Sequence, residues 1–217
     1  MSRLNIGETR KINTIEPYLG KVIVFCEGQT EESYIQYFIN KFENKRYFDV
    51  TVKNVLIGGN SKAVYKHAKS FLANPSNNLR YGLDFKKYLI FDCDAPDNIE
   101  EVIKEIETNK QFDMLLTNSI FEVWLLMHFE KVVTSLSYNT IYARLKDYIG
   151  NYYNKGSYDD IRLIIEEGSV DLAIKNSKEL EEKYQKQNKV IPQDIKQMNP
   201  YSNVYQLIEQ FVKRMRN

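Results

Sequence analysis

The feature that most constrains the fold is an alternation of short apolar segments with helical patterns between residues 21 and 117. Four segments rich in β-branched and aromatic residues have the composition of buried strands. They are Lys21–Cys26, Phe48–Ile57, Lys87–Phe91 and Phe112–Leu116. Apolar residues at helical spacing follow each of the first three segments. Such alternation is typical of βαβ units and predicts an α/β fold with a doubly wound, mostly parallel sheet.

Beyond residue 118 the strand signals fade and helical patterns replace them. The predicted helices are Ile120–Phe129, Tyr138–Tyr148, Ser157–Glu166, Ser169–Gln187 and Asn203–Met215. The sequence therefore predicts three parts along the chain. They are a polar lead-in over residues 1–19, an α/β core over 20–130 and a helical C-terminal region over 131–217 packed on that core.

Composition limits the partners and the compartment. Lys and Arg number 30 and Asp and Glu number 29, so the net charge is +1. This balance excludes a protein that binds polyanions through bulk charge, although it allows a local basic groove. The longest apolar run, Val22–Cys26, is far shorter than the roughly 20 residues of a membrane span. The two cysteines, Cys26 and Cys93, form no CxxC pair, so we expect a reduced, cytoplasmic protein without zinc.

Three acidic residues follow predicted strands at the points where the strands end. Glu27 follows the first strand, and Asp92 and Asp94 follow the third. Because ligands of open α/β sheets bind at the carboxyl ends of the strands, we expect these acids in one crevice. A lone Asp-x-Asp is weak evidence, since Asp is also common in turns and caps. Its occurrence together with Glu27-Gly28 favours a site for Mg²⁺ or Mn²⁺, which prefer oxygen ligands.

Two further acids each fit two explanations. Glu31 lies in the first turn of a predicted helix, where an acid stabilises the helix dipole as readily as it binds a metal. Glu122 lies in the segment Ile120–Phe129, which is apolar on nearly every side. A carboxylate buried there needs a cation, a strong donor or a wet cavity. An acid at the start of a helix capped by Asn118 or Ser119 would explain Glu122 equally well.

Other polar residues carry weaker signals. His67 has the position of a surface or boundary residue, and His128 that of a hydrogen-bonded core histidine. Gly58–Lys62 resembles a phosphate-binding turn before a helix but lacks the full Walker spacing, so we interpret it as a turn that could contact a phosphate. No Ser/His/Asp or Cys/His arrangement indicates a nucleophile.

Four segments stand out in order along residues 20–212: Val24–Glu31, Phe91–Asp94, Asn118–Phe129 and Asn199–Val204. They resemble, in the same order, the motif CEGxTE, the second Toprim motif, NPxFExWLLLHF and NPxTxV of the RloB/AbiLii-like family of Toprim domains. Ser119 and Ser202 stand where this family usually has Pro and Thr, and neither departure removes a carboxylate.

The resemblance implies a Toprim-like core with a helical C-terminal extension, and phosphodiester chemistry supported by Mg²⁺. Toprim domains hold the metal with a Glu and an Asp-x-Asp pair. Carried over, Glu27 is a general acid/base or a metal ligand, and Asp92 and Asp94 are metal ligands. Glu31 and Glu122 match motif positions and would complete a second metal site.

The resulting prediction is a metal-dependent nuclease of an anti-phage defence system that cleaves DNA or RNA, tRNA included. The resemblance also implies abortive infection and an ABC- or AAA-type ATPase encoded nearby. A partner surface could use the tyrosines between Tyr138 and Tyr153, although tyrosines that merely pack the helices together fit the pattern equally well. The sequence gives no indication of the oligomeric state.

Two other functions compete with the nuclease. In the first, a non-catalytic Toprim-fold subunit binds the ATPase or a phage protein, and the acids hold a structural metal. In the second, the chain is a receiver-like domain, which leaves the helical half and the motif around Glu122 unexplained. Topoisomerase and primase activities are disfavoured, because the chain offers neither a domain with a catalytic tyrosine nor room for template and nucleotide domains.

Overall fold

The structure is a computed structural model that describes residues 20–42, 49–55, 60–94 and 98–216. Within these residues, five strands form one sheet in the order β2-β1-β3-β4-β5. The first four strands run parallel, and β5 is antiparallel to β4. The strands are β1 (Lys21–Cys26), β2 (Asp49–Asn54), β3 (Lys86–Asp92), β4 (Asp113–Asn118) and β5 (Tyr201–Ser202).

Helices connect the parallel strands and make up most of the chain after β4. Ser137, Ser157 and Ser169 cap α6, α7 and α8, because each side chain accepts a backbone N–H of the first turn. The helices are α1 (Gln29–Phe42), α2 (Ser61–Ala73), α3 (Pro75–Arg80), α4 (Ile99–Asn109), α5 (Glu122–Leu126), α6 (Tyr138–Ile149), α7 (Tyr158–Glu167), α8 (Val170–Lys186) and α9 (Tyr205–Arg216).

The sheet has a topological switch point between β1 and β3. From β1 the chain passes through α1 to β2 on one side, and from β3 it passes through α4 to β4 on the other. Helix α1 packs against α7 and α9, and α2 packs against α4, which agrees with helices on both faces of the sheet. In sheets of this kind the crevice at the switch point is the usual ligand site.

The doubly wound, mostly parallel α/β fold and its helical C-terminal extension are confirmed, and the arrangement is consistent with a Toprim-like fold. The predicted lead-in over residues 1–19, and Gly58 and Gly59 of the predicted turn, lie outside the described residues. None of the helices described is both long enough and apolar enough to cross a membrane.

The segment after β4 departs from the predicted ten-residue helix. Helix α5 has only five residues, with turns on both sides, and Phe121 rather than Asn118 or Ser119 is its N-cap. Asn118 instead ends β4, and its side-chain amide donates to the carbonyl of Ile195 at 2.7 Å. All five residues of α5 are buried and all except Glu122 are apolar, so hydrophobic periodicity cannot set the length of this segment.

Two short elements carry no sequence signal of their own. Helix α3 begins at Pro75, and Pro is favourable in a first helical turn. Strand β5 is too short to show an alternating pattern. The predicted helix Asn203–Met215 begins only at Tyr205, because the side chain of Asn203 is bound to β4: it accepts from Leu116 N at 2.6 Å.

Candidate functional site

Four of the five predicted acids lie together at the switch point. Glu27 directly follows β1, Asp92 ends β3, Glu31 lies in the first turn of α1, and Glu122 begins α5. Parallel strands end at the same edge of a sheet, so these elements deliver their carboxylates to one place. Asp94 follows β3 by two residues, is exposed and marks the rim of this acidic group.

Burial and mutual repulsion raise the pKa values of these acids. Burial raises the pKa of Glu27 to about 7, with a further increase from Asp94 that a backbone hydrogen bond at Asp92 opposes. Burial, and then the charges of Glu122 and Glu27, raise the pKa of Glu31 to about 7. Burial, and then the charge of Glu31, raise the pKa of Asp92 well above its usual range. The group therefore favours the arrival of protons or cations.

Hydroxyl groups hold three of the carboxylates. Thr117 on β4 donates to Asp92. Tyr138, at the start of α6, donates to Asp94 at 2.8 Å. Glu122 Oε1 accepts from Thr30 Oγ1 at 3.3 Å and from Tyr153 OH at 3.0 Å. These donors fix where the acids lie.

One lysine supplies positive charge to the group. Lys155 Nζ lies 4.0 Å from Glu122 Oε1, and its side chain is 57% exposed. Burial lowers the pKa of Lys155, but Glu122, followed by Tyr142, Asp92 and Glu31, raises it above its ordinary value overall. Sequence reasoning missed Lys155 as well as Thr117, and nothing in the sequence around either residue marks it as part of a site.

The loop that carries Tyr153 and Lys155, between α6 and α7, is anchored at both ends of its turn. The Ser33 hydroxyl on α1 donates to the carbonyl of Gly156 at 2.9 Å, and the Asp160 carboxylate accepts the backbone N–H of Asn154 at 2.6 Å. Gly156 has φ +81°, and a Cβ there would lie 3.0 Å from Gln29 Cβ. Only glycine fits this approach to α1 without strain.

The two neighbouring acids of α1 have different surroundings. Glu31 is 4% exposed and faces the acidic group, whereas Glu32 accepts a hydrogen bond from Asn54 Nδ2 at 3.0 Å. The Glu31 carboxylate lies against Gly28, where a Cβ would be 2.8 Å from Glu31 Oε2. Glycine after Glu27 thus leaves room for the Glu31 carboxylate. Stabilisation of the helix dipole does not require such burial.

The acids fit a hard divalent cation for two reasons: their ligand atoms are oxygens, and some of these oxygens have no hydrogen-bond donor. Glu27 Oε2 and Glu122 Oε2 are buried and have no hydrogen-bond donor. Oxygen atoms of this kind suit Mg²⁺ or Mn²⁺. In the part of the chain that the structure describes, however, no three Asp, Glu, His or Cys side chains are already arranged to hold an ion. The hydroxyl donors of Thr117, Tyr138 and Tyr153 account for much of the present orientation of the acids.

The histidines have the positions expected of them. His128 is a buried core residue, with Nε2 3.0 Å from Tyr34 OH, and burial lowers its pKa to about 4. His67 is exposed on α2.

The tyrosines of the helical half form no single surface. Tyr138 and Tyr153 bind acids of the site, and the ring of Tyr142 lies 5.7 Å from that of Tyr153. Tyr148 stacks on Phe129 at 4.5 Å, while Tyr152 is 71% exposed. Tyr138 and Tyr148 also remain 43% and 41% exposed, so internal packing accounts for Tyr142 and Tyr153 but leaves three of the five rings partly exposed.

Comparison with known proteins gave one match. The protein-family model described as RloB-like protein matches residues 22–211. Searches against curated proteins and against solved structures found no match. The matched range includes all five acids, Lys155 and the C-terminal motif at Asn199–Val204.

Proposed function

The chain belongs to the RloB-like protein family, and from this premise we propose that it is a Mg²⁺- or Mn²⁺-dependent nuclease of an anti-phage defence system. The observation that carries the proposal is the group of buried carboxylates at the switch point, with Glu27 Oε2 and Glu122 Oε2 lacking any donor. Burying several carboxylates together is costly unless a cation accompanies them. In a metal-dependent nuclease, the bound metal ion is that cation.

In this proposal Glu27, Asp92 and Asp94 hold the metal, and Glu31 and Glu122 hold a second ion. A bound divalent ion would polarise the scissile phosphate and lower the pKa of an attacking water. In the alternative arrangement, Glu27 is not a metal ligand but a general acid or base. Burial raises its pKa to about 7, which suits a residue that accepts and returns a proton near neutral pH.

Lys155 and Tyr153 have supporting roles. Tyr153 donates to Glu122 and so orients that carboxylate. The half-exposed ammonium of Lys155 lies between Glu122 and solvent, where it can contact phosphate oxygens of a nucleic acid.

The proposed substrate is DNA or RNA, tRNA included, and the proposed partner is an ABC- or AAA-type ATPase that gates cleavage in the cytoplasm. The net charge of +1 supports a partner, because the chain alone has little non-specific attraction for nucleic acid. The ATPase itself rests on the sequence resemblance.

A non-catalytic subunit is the second candidate function. It is favoured by the net charge of +1, which gives the chain alone little non-specific attraction for nucleic acid. Such a subunit would bind the ATPase or a phage protein, and its acids would bind a structural metal.

Cleavage assays with paired variants test the proposal. Single- and double-stranded DNA and RNA, including tRNA, are incubated with the chain, alone and with the ATPase encoded beside it, in Mg²⁺, in Mn²⁺ or in EDTA. We expect Asp92→Asn and Glu31→Gln to reduce cleavage about 100-fold or more, in line with the loss of a group that stabilises the transition state. Glu32→Gln is the matched control, because Glu32 neighbours Glu31 but binds Asn54.

Each result separates the two functions. Cleavage that persists in EDTA, or at full rate in Asp92→Asn, contradicts the nuclease proposal. Calorimetric metal binding that Asp92→Asn abolishes, without cleavage under any condition, supports the non-catalytic subunit.

A further inference from the structure

A cleft of about 450 Å³ adjoins the acidic group on the side of Asp94. Asp94 belongs both to this cleft and to the group of acids around Glu27. The other walls come from the end of β4, from the segment before α6 and from the C-terminal motif at Asn199. The volume lies within the range of pockets that bind small ligands, and a single nucleotide is a ligand of that size.

The walls of the cleft are mostly uncharged and can form hydrogen bonds. Ser119 and Ser135 contribute hydroxyl groups, and Asn199 contributes a half-buried amide; Ser137 also lines the cleft, but its hydroxyl caps α6. Lys196, the one basic residue among the lining residues described, forms an ion pair with Glu100 at 3.4 Å. Amide and hydroxyl groups match the hydrogen-bonding edges of bases and the hydroxyl groups of sugars.

An aromatic ring completes the cleft. Tyr138 lines it and is 43% exposed, and its hydroxyl is held by Asp94 at 2.8 Å. This hydrogen bond fixes the ring next to the acidic group while leaving part of the ring accessible. Exposed aromatic rings beside a cleavage site are platforms on which unpaired bases stack.

We propose that this cleft binds one unpaired nucleotide beside the scissile phosphate, with its base stacked on Tyr138, so that the substrate is single-stranded at the point of cleavage. The proposal rests on the proposed nuclease function, since it names the substrate class of the same site. A paired base would have to leave its duplex to enter the cleft.

Binding measurements test this proposal without relying on cleavage. The affinity of the full chain for labelled 12-nucleotide single strands of DNA and RNA, and for the matching duplexes, is measured by fluorescence anisotropy in Ca²⁺. We expect single strands to bind at least tenfold more tightly than duplexes. Tyr138→Ala should weaken single-strand binding about tenfold, whereas Tyr138→Phe, which keeps the ring, should stay within twofold of wild type. Tyr152→Ala removes an exposed ring outside the cleft and should have no effect.

Several outcomes would overturn the proposal. The first is equal affinity for single strands and duplexes, and the second is binding of neither. The third is an equal loss of affinity in Tyr138→Phe and Tyr138→Ala, because it would assign the effect to the hydroxyl that is hydrogen-bonded to Asp94. The proposed nuclease function fails separately, through metal-independent cleavage or unchanged cleavage by Asp92→Asn. Metal-dependent cleavage of duplexes, with Tyr138→Ala as active as wild type, would support the nuclease function and contradict the role proposed for the cleft.

Discussion

At the scale of single residues, the hydrogen-bond donors around each carboxylate of the site differ from one acid to the next. Asp92, Asp94 and Glu122 each accept a hydroxyl hydrogen bond, whereas Glu27 Oε2 is buried without a donor. Hydroxyl donors favour the ionised form of a carboxylate without bringing a charge of their own. In the proposed function a metal ion would add the positive charge that these hydroxyl groups do not supply.

His128 shows how burial alone sets a protonation state, and it leads to a pH prediction. Burial lowers its pKa from 6.5 to about 4, so the unfolded chain binds more protons than the folded chain between these pH values. The contribution of His128 to stability is therefore complete above pH 6.5 and is lost as the pH falls towards 4. We expect wild type to lose about 3 kcal/mol relative to His128→Gln between pH 7 and pH 4.

Urea denaturation at several pH values measures this difference. His67→Gln, at an exposed position on α2, is the matched control and should follow wild type. A stability difference between wild type and His128→Gln that does not change with pH would show the prediction to be wrong.

At the scale of elements, the site depends on the loop between α6 and α7. Asp160 on α7 accepts the backbone N–H of Asn154 at 2.6 Å and its side-chain amide at 3.2 Å, next to Lys155. We expect Asp160→Ala to reduce stability by about 1–2 kcal/mol and to speed hydrogen exchange of the amides in residues 151–157. We also expect Asp160→Ala to lower the affinity for metal, because Tyr153 would no longer hold Glu122 in one orientation.

The neighbouring acid of the same helix turn provides the control. Asp159 lies in the same first turn of α7, but its side chain is 83% exposed, so Asp159→Ala removes a similar charge without releasing the loop. Equal exchange rates in the two variants would mean that Asp160 does not anchor the loop.

How much of these elements could be predicted depends on the range of the interactions that form them. β1, β3 and the acids that follow them were predictable, because a buried parallel strand is a local pattern and its end fixes the position of the next side chain. Lys155 was not, because it reaches Glu122 only through the packing of the α6–α7 loop on α1. Helix α5 was predicted too long, since a segment buried on every side has no polar face to show where the helix stops.

At the scale of the whole molecule, the C-terminal segment completes the sheet. Tyr201 and Ser202 pair with the end of β4, and Asn203 continues this pairing through its side chain. Asn203 Oδ1 accepts from Leu116 N at 2.6 Å, and Nδ2 donates to Met114 O at 3.1 Å. The motif at Asn199–Val204 thus covers the edge of the strand that leads to Glu122.

Replacing Asn203 tests how much its contacts with β4 contribute to the free energy of unfolding. We expect Asn203→Ala to lower the free energy of unfolding by about 2–3 kcal/mol, because two backbone groups of β4 lose their partners. Asn203→Asp keeps the acceptor for Leu116 N but sets a buried carboxylate oxygen against Met114 O, so it should cost at least as much as Asn203→Ala. Chemical denaturation provides the measurement.

Asn151→Ala is the control for this series. The exposed Asn151 side chain accepts a local hydrogen bond from Tyr152 N, and the loss of this bond should cost less than about 0.5 kcal/mol. Equal costs for Asn203→Ala and Asn151→Ala would mean that the edge is held by the strand backbone alone.

The late position of β5 has a consequence for synthesis on the ribosome. Glu27, Asp92 and Glu122 are all translated before Lys155, and the edge of β4 stays open until Tyr201 and Ser202 have been made. An interrupted nascent chain would carry the acids on an unfinished sheet, and the unpaired edge of β4 would favour aggregation. Completion of this edge therefore requires translation to pass residue 202.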